Sequence, residues 1–234
     1  MEGRRASLRA QLFGKIRAAA LDELRRTGAA ALSLREVARA AGISPSGLYR
    51  YVDGRDGLLE LLISDGFESF GRTIEEAVDA AGSDALARLE AVALSYRRWA
   101  LDNPEQFGLI LGTPVPGFQA RPDGPTTASV RRFAEPMIRA VADASSEGRS
   151  ADSGGMATTD ELFPFDPVKG ALPESLSGVL ARGWARIHGL VSLEAFGHLV
   201  WSGTDVEALL RTEVRSILAE LGHPAAGATT SASP

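Results

Sequence analysis

The sequence predicts an all-α protein of about nine helices. Apolar residues recur at spacings of three and four along most of the 234 residues, as they do on one face of an amphipathic helix. No segment keeps the two-residue alternation of a half-buried strand, and we find no internal repeat of about 20–50 residues. The helix ends are then predicted from glycines, prolines and capping residues.

The first two helices are predicted from an apolar stripe and a capping pattern. The stripe runs over residues 8–24, and Gly28 ends the helix. Ser33 and Glu36 have the spacing of a capping box, in which Ser33 caps the second helix and Glu36 returns to the Ser33 amide. Gly42 ends this second helix.

A third helix follows at once. Ser44 is predicted as its N-cap and Pro45 as its first residue, and the helix extends to about Val52. Asp53 and Gly54 form a turn, after which a longer helix runs from about residue 55 into the 70s.

The second half of the chain supplies the other helices. Five are predicted from their apolar residues, over 86–99, 104–111, 130–141, 176–199 and 206–221. Pro136 is expected to kink or interrupt the third of these. Residues 112–125 contain four prolines and three glycines, which indicates a loop. Small and polar residues predict a mobile loop at 144–160 and an unstructured tail at 222–234.

Composition excludes several classes of protein. The chain has no cysteine, so a disulfide framework, a thiolate nucleophile and a sulfur-ligated zinc site are excluded. No apolar run approaches the ~20 residues that cross a bilayer, and the first residues lack the apolar stretch of a signal peptide. We therefore expect a soluble, cytoplasmic protein without a membrane partner.

Signals for catalysis are also missing. The sequence has no glycine-rich phosphate loop, no Gly-x-Ser-x-Gly elbow and no His-Glu-x-x-His pattern. Its three histidines are too scattered to suggest a metal site. The sequence thus predicts no catalytic residue, no metal and no cofactor, and the protein is not expected to be an enzyme.

Charge is distributed unevenly along the chain. The net charge is −5, but residues 1–60 carry eleven Lys/Arg against seven Asp/Glu, a balance of +4, and the remainder carries −9. A basic N-terminal part suggests that this end meets an anionic partner. Chance is the alternative explanation for a bias of this size.

Residues 33–52 form a predicted helix-turn-helix. Leu48 and Val52 point inward at i and i+4, which leaves the other face of the second helix outward. A short helix with small residues at its start can enter the major groove. There Arg50 could bind guanine and Tyr49 a phosphate, and Gly47 removes a side chain that would hold the helix away from DNA. Helix-turn-helix pairs without DNA-binding function are the alternative.

This segment resembles the TetR family of bacterial transcriptional repressors. Residues 42–58, GISPSGLYRYVDGRDGL, follow the family pattern, although Arg50, Tyr51 and Asp53 depart from its common residues. The resemblance implies phosphate contacts from Ser33, Tyr49 and Arg55, and contacts near the bases from the rest of the third helix. The predicted DNA-binding residues are Ser33, Ser44, Pro45, Ser46, Gly47, Tyr49, Arg50, Tyr51 and Arg55.

The C-terminal part resembles a TetR subfamily named for a Trp…His-Gly motif. Residues 99–107, WALDNPEQF, and 184–189, WARIHG, carry this resemblance. It implies a domain that binds a small molecule and dimerises. The predicted ligand-binding residues are Tyr96, Trp99, Phe107, Phe133, Trp184 and His188. The alternative is that Trp184 and His188 belong only to the core.

The last helix is apolar over a wide arc, which predicts a dimer interface. Its predicted dimerisation residues are Leu209, Leu210, Val214, Ile217 and Leu218. The expected organisation is a DNA-binding domain at 8–55, a ligand-binding and dimerisation domain at 56–221 and the tail at 222–234. The predicted function is that of a homodimeric repressor released from a palindromic operator by an apolar or amphipathic ligand. An activator or architectural factor without ligand control, or a helical protein–protein module, are the alternatives.

Overall fold

A computed structural model of the chain describes residues 2–121, 124–148 and 173–223. These residues form nine α-helices and one short 3₁₀ helix, with no strand among them, which confirms the all-α prediction. The α-helices are α1 (Glu2–Thr27), α2 (Leu34–Ala40), α3 (Pro45–Leu48), α4 (Gly54–Ala80), α5 (Ala85–Asp102), α6 (Pro104–Leu111), α7 (Pro125–Glu147), α8 (Glu174–Ala195) and α9 (Val206–Glu220). The 3₁₀ helix is Val200–Ser202.

Local signals set the ends of the first helices. Gly28 ends α1 with φ of 73°, in the left-handed region that favours glycine. The Ser33 hydroxyl accepts a hydrogen bond from the Glu36 amide at 3.4 Å and so caps α2. The Glu36 carboxylate does not complete the predicted capping box: it accepts from the Arg39 guanidinium at 2.8 and 2.9 Å. A charged donor one turn along the helix makes the stronger hydrogen bond.

Helix α7 differs from the prediction at its proline. Pro136 lies inside α7, which continues to Glu147, so the predicted interruption is wrong. Ala140, Val141 and Ala144 are buried beyond the proline, and this packing stabilises the helix across it. Residues 144–147 are therefore helical rather than part of a loop, while 149–160 lie outside the described residues.

Helix α8 ends earlier than predicted. It stops at Ala195 instead of reaching residue 199, and Phe196 and Gly197 form its end, with φ of 76° at Gly197. The Gly197 amide donates to the Glu194 carbonyl at 2.9 Å, which closes the last turn. The glycine at 197 was the signal for this boundary.

The helices form two compact units. Residues 1–69 and 103–130 belong to the first unit, and residues 70–102 and 131–234 to the second, as far as they are described. Helices α4 and α7 each contribute residues to both units. Helix α6 and the proline-rich segment after it belong to the first unit, together with α1, α2 and α3.

The first unit is built around apolar residues of α1 to α4. Its most deeply buried members include Ile16, Ala20, Leu24, Val37, Ala38, Leu48, Leu58, Leu59 and Leu62. The Arg121 guanidinium donates two hydrogen bonds, at 2.7 and 2.9 Å, to the buried Glu60 carboxylate of α4. This bidentate pair holds the segment after α6 against α4 within the unit.

The second unit contains an aromatic cluster. The Phe70 ring stacks on Trp99 with a centroid distance of 4.1 Å and contacts Tyr96 and Phe133 at 4.6 and 4.9 Å. A Cβ on Gly71 would lie 2.9 Å from the Phe133 Cα, so this glycine permits the close approach of α4 and α7. Helix α9 packs against both α5 and α8.

Candidate nucleic-acid interface

The turn between α2 and α3 is closed by backbone hydrogen bonds. The Ile43 amide donates to the Ala38 carbonyl at 3.0 Å, and the Gly42 amide donates to the Arg39 carbonyl at 3.2 Å. Gly42 has φ of 73°, so the pattern is that of a Schellman motif with glycine in the left-handed position. This turn fixes the direction in which α3 leaves α2.

Ser44 starts α3 as predicted. Its hydroxyl accepts from the Gly47 amide at 3.1 Å and lies 3.1 Å from the Ser46 hydroxyl. A Cβ on Gly47 would lie 3.2 Å from the Ser44 Oγ, a tight contact. The glycine therefore leaves room for the cap, in addition to reducing bulk on the outer surface.

Helix α3 has one buried and one exposed side. Leu48 and Val52 are 1% and 6% exposed, so they anchor the segment to the core as the spacing predicts. Tyr49 is 60% exposed although it is a large aromatic residue. The exposed residues of this segment are Ser44, Pro45, Ser46, Tyr49 and Arg50. Together they form a polar and aromatic surface on a fixed scaffold.

Regular α-helix ends sooner in this segment than predicted. It covers only Pro45–Leu48, and the Arg50 and Tyr51 amides then donate three residues back, at 3.3 and 2.9 Å. The segment to Val52 is thus a tightened continuation of the helical turn. Pro45, Ser46, Tyr49 and Arg50 remain exposed.

Two arginines of this region have no carboxylate partner among the described residues. Arg50 lies in the turn after α3, and Arg35 lies in the first turn of α2; both are exposed. Arg39, by contrast, is paired with Glu36. Sequence analysis missed Arg35, although its place two residues after the Ser33 cap was a signal for a cation at the start of α2.

The other predicted DNA-binding residues have contacts within the chain. Ser33 caps α2, and its hydroxyl hydrogen remains free to donate. The Tyr51 ring packs on Phe13 of α1 with a centroid distance of 6.4 Å. The Arg55 guanidinium donates to the Ala29 and Ala30 carbonyls at 3.0 and 3.4 Å, so Arg55 supports the end of α1 whatever else it binds.

Comparison with known proteins places this geometry in a family. Residues 16–62 match the family described as bacterial regulatory proteins, tetR family, and residues 89–217 match the tetracyclin repressor-like C-terminal domain. The HTH-type transcriptional regulator Rv1816 of Mycobacterium tuberculosis is 34% identical over 206 residues, which are 83% of this chain and 85% of that protein. The chain belongs to the TetR family of bacterial transcriptional regulators.

Solved structures similar to this TetR-family chain cover nearly all of it. A crystal structure of a regulatory protein, SCO4313, is 32% identical, has a TM-score of 0.73 and covers 92% of this chain and 98% of its own. A protein of unknown function from Rhodococcus sp. RHA1 is 25% identical with a TM-score of 0.70 and covers 91% and 96%. The chain is thus a transcriptional regulator with a helix-turn-helix DNA-binding domain, and the resemblance drawn from residues 42–58 is confirmed.

In the second unit of this TetR-family chain, Tyr96 and His188 are bonded. The Tyr96 hydroxyl lies 2.9 Å from the His188 Nδ1, and the His188 Nε2 lies 3.3 Å from the Ser192 hydroxyl. Burial lowers the pKa of His188, which favours the neutral ring. With one acceptor and one donor, that ring accepts from one of these two hydroxyls and donates to the other. The Trp184 ring stacks on His188 at 4.9 Å.

A cavity of about 40 Å³ lies beside this pair. Tyr96 and Trp184 line it, and the other lining residues are apolar: Leu89, Val92, Met137, Val141, Val179, Leu180, Gly183, Ile187, Val214 and Ile217. A Cβ on Gly183 would lie 2.9 Å from the Ile217 Cδ1, so this glycine permits Ile217 of α9 to pack closely against α8. The space corresponds to about three water molecules.

The remaining predicted ligand-binding residues lie in two different units. Trp99 and Phe133 belong to the aromatic cluster of the second unit and do not line the cavity. Phe107 is fully buried and belongs to the first unit. Sequence alone had placed it with Tyr96, because both are aromatic residues of predicted inward faces.

The predicted dimerisation residues fall into two groups. Leu210, Val214 and Ile217 are 0%, 1% and 4% exposed, so they fill the core of their own unit. Leu209 is 40% exposed and Leu218 is half-buried. Of the eight large apolar residues that are exposed in the described ranges, five lie at the end of α8, at the start of α9 or between them: Leu193, Phe196, Val200, Trp201 and Leu209. We call these five residues the α8–α9 apolar patch.

The described part of the chain gives no sign of a metal or a membrane segment. No cluster of three or more His, Asp or Glu side chains in these ranges is arranged to hold a metal ion. Within the same ranges, no helix combines the length and hydrophobicity that a bilayer crossing requires.

Proposed function

We propose that this regulator is a repressor that recognises a specific operator through the exposed residues of the α3 segment. The observation that carries the proposal is that the α3 segment has one buried and one exposed side. Leu48 and Val52 are buried, and Tyr49 and Arg50 are exposed beside a capped helix start. Arginine is the residue that most often reads guanine, and tyrosine readily binds phosphate. Ser33 and Arg35 supply further polar groups at the start of α2.

The test is selection of binding sites from random DNA, followed by affinity measurements. We expect one sequence to be enriched and to bind at physiological salt at least a thousandfold more tightly than random DNA of the same length. The affinity should fall as salt rises, because phosphate contacts release counterions. Equal affinity for the selected sequence and random DNA contradicts the proposal.

The proposed assembly is a homodimer that pairs through the α8–α9 apolar patch. Val200 and Trp201 are 84% and 85% exposed in the single chain, and large apolar residues are costly to leave in water. Aromatic side chains of this kind commonly anchor interfaces. A two-fold dimer places two α3 segments on half-sites about 34–36 Å apart, which predicts a palindromic operator. The interface therefore uses exposed residues rather than the buried Leu210, Val214 and Ile217.

The proposed effector is an apolar or amphipathic small molecule bound at the cavity of the second unit. The walls are apolar apart from Tyr96, whose hydroxyl and partner His188 offer the polar contact. A space of about 40 Å³ is too small for such a molecule, so binding has to displace side chains. A ligand releases DNA only if it binds the DNA-incompetent state more tightly.

The small cavity also favours one of the alternatives, regulation without a ligand. A thermal-shift screen of small apolar alcohols, phenols and fatty acids discriminates between the two. In the ligand-controlled case, a hit lowers operator affinity about 5–150-fold, and Val179→Leu, which fills the cavity wall, removes the response but not operator binding. A hit that leaves operator affinity unchanged contradicts ligand control.

A further inference from the structure

The N-terminal turns of α1 make no packing contact that would bury them. Residues 6–11 are all exposed, which is more than one full helical turn, so every face of α1 is in solvent there. Leu8, the large apolar residue of this stretch, is 58% exposed. Packing begins only further along α1, where Ile16 is fully buried. The stretch is therefore available to a partner outside the chain.

The same helix carries a series at four-residue spacing. Arg9, Phe13 and Arg17 follow one another along α1, so they share a helix ridge. The positive charge of Arg17 is compensated, because its guanidinium pairs with the Asp65 carboxylate at 2.9 Å. Arg9 is exposed and has no carboxylate partner among the described residues. Residues 2–11 contain three arginines and one glutamate, a net charge of +2.

Phe13 ties this ridge to the α3 segment. Its ring stacks against Tyr51 at a centroid distance of 6.4 Å, and Arg17 lies over the same ring at 5.0 Å. Tyr51 directly follows the exposed Arg50. Arg9 precedes Phe13 by about one turn, ~6 Å along the axis. Arg9 therefore lies one turn before the ring contact that joins α1 to Tyr51, the residue next to Arg50.

We propose that the start of α1 binds the DNA phosphate backbone beside the half-site, through Arg9. The inference rests on the proposed operator recognition and adds a second, sequence-independent contact to it. An exposed arginine in the unit that carries the recognition surface is attracted by the polyanion that this surface binds. Such contacts set position and affinity and do not discriminate sequence.

The test compares an Arg9→Ala variant with wild type on the selected operator over a range of salt. Each lost phosphate contact reduces the slope of log affinity against log salt by about 0.9, so loss of the two Arg9 contacts of a bound dimer reduces it by about 1.8. The advantage of wild type over the variant should then be about tenfold larger at 50 mM than at 200 mM salt. The ratio of operator to random-DNA affinity should stay unchanged.

Lys15→Ala is the matched control. Lys15 is an exposed cation of the same helix, about 200° around the axis from Phe13, and its loss should leave the slope nearly unchanged. Circular dichroism should show equal helicity and equal melting for all three proteins, because the substituted positions lie in the unpacked turns or on the exposed surface.

A wild-type slope in the Arg9→Ala variant overturns the inference, and operator preference that persists in that experiment leaves the proposed function standing. Equal slope changes in Arg9→Ala and Lys15→Ala also overturn it, because they indicate a diffuse charge effect. If wild type itself does not prefer its operator, the proposed function fails and this inference falls with it.

Discussion

Arg50 is the side chain on which base discrimination should depend. It is exposed in the α3 segment and has no carboxylate partner among the described residues. Arg50→Ala should reduce operator affinity by ~1–3 kcal/mol per half-site and relax the sequence preference, because a bidentate contact to guanine is lost in each. Competition binding with single-base operator variants measures both effects. Arg39→Ala, an exposed arginine paired with Glu36, is the control and should retain the preference.

An equal loss for Arg50→Ala on operator and random DNA would contradict base reading and assign Arg50 to a phosphate. Arg55→Ala is less informative. Arg55 hydrogen-bonds the Ala29 and Ala30 carbonyls, so its removal weakens the fold as well as any phosphate contact.

His188 should make stability depend on pH. Burial lowers its pKa in the folded chain below the ~6.5 of the unfolded chain, so the unfolded chain binds the proton more readily. The stability from neutral His188 is therefore present above about pH 6.5 and is lost as pH falls through the folded pKa. Thermal unfolding between pH 5 and 8 should show a smaller acid loss for His188→Gln than for wild type. Equal losses in the two proteins would contradict this.

Among the elements, the α2–α3 turn should be sensitive to glycine replacement. Gly42 has φ of 73°, and a Cβ there meets no neighbouring atom, so the expected cost comes from backbone conformation alone. Gly42→Ala should destabilise the protein by about 1–2 kcal/mol. Gly14→Ala is the control, because Gly14 is helical and exposed with open space around it. It should stabilise by about 0.5–1 kcal/mol.

Urea unfolding measures both glycine variants. Destabilisation by Gly14→Ala of the same size as by Gly42→Ala would contradict the conformational explanation. Gly42→Ala should also weaken operator binding more than its stability loss explains, because the turn sets the direction of α3.

At the scale of the whole molecule, the proposed dimer should depend on Trp201. Trp201→Arg places a charge in the α8–α9 apolar patch, where a partner chain would otherwise cover it, and should give a folded monomer with little operator affinity. Leu101→Arg is the control, because Leu101 is another exposed apolar residue of the second unit, at 38%. It should leave the dimer intact.

Light scattering at micromolar concentration gives the mass of each variant. A monomeric wild type, or a dimeric Trp201→Arg variant, would contradict the proposed interface. Leu210→Arg does not test it, because Leu210 is fully buried in its own unit and a charge there would unfold the chain.

Much of the fold was readable from short stretches of sequence. The helical period, the Gly28 and Gly42 ends and the Ser33 and Ser44 caps depend on residues within about one turn of each other. The sidedness of α3 was also local, because i and i+4 spacing fixed Leu48 and Val52 inward. The resemblance of residues 42–58 then gave the family, which the comparisons confirm.

Contacts between distant residues required the tertiary structure. Only the tertiary structure shows that Phe107 and Tyr96 lie in different units. It also shows that Tyr96 hydrogen-bonds His188 and that Arg55 hydrogen-bonds a carbonyl at the end of α1. It also decided that Leu210 fills a core while Trp201 stands exposed, and that packing carries α7 past Pro136. The sequence by itself determined the helical period and the capped or glycine-terminated ends of the first helices, since caps and periodicity act over a few residues. Burial depends on which helices pack together, so only the folded chain decided which apolar and charged side chains remain for DNA, ligand or partner.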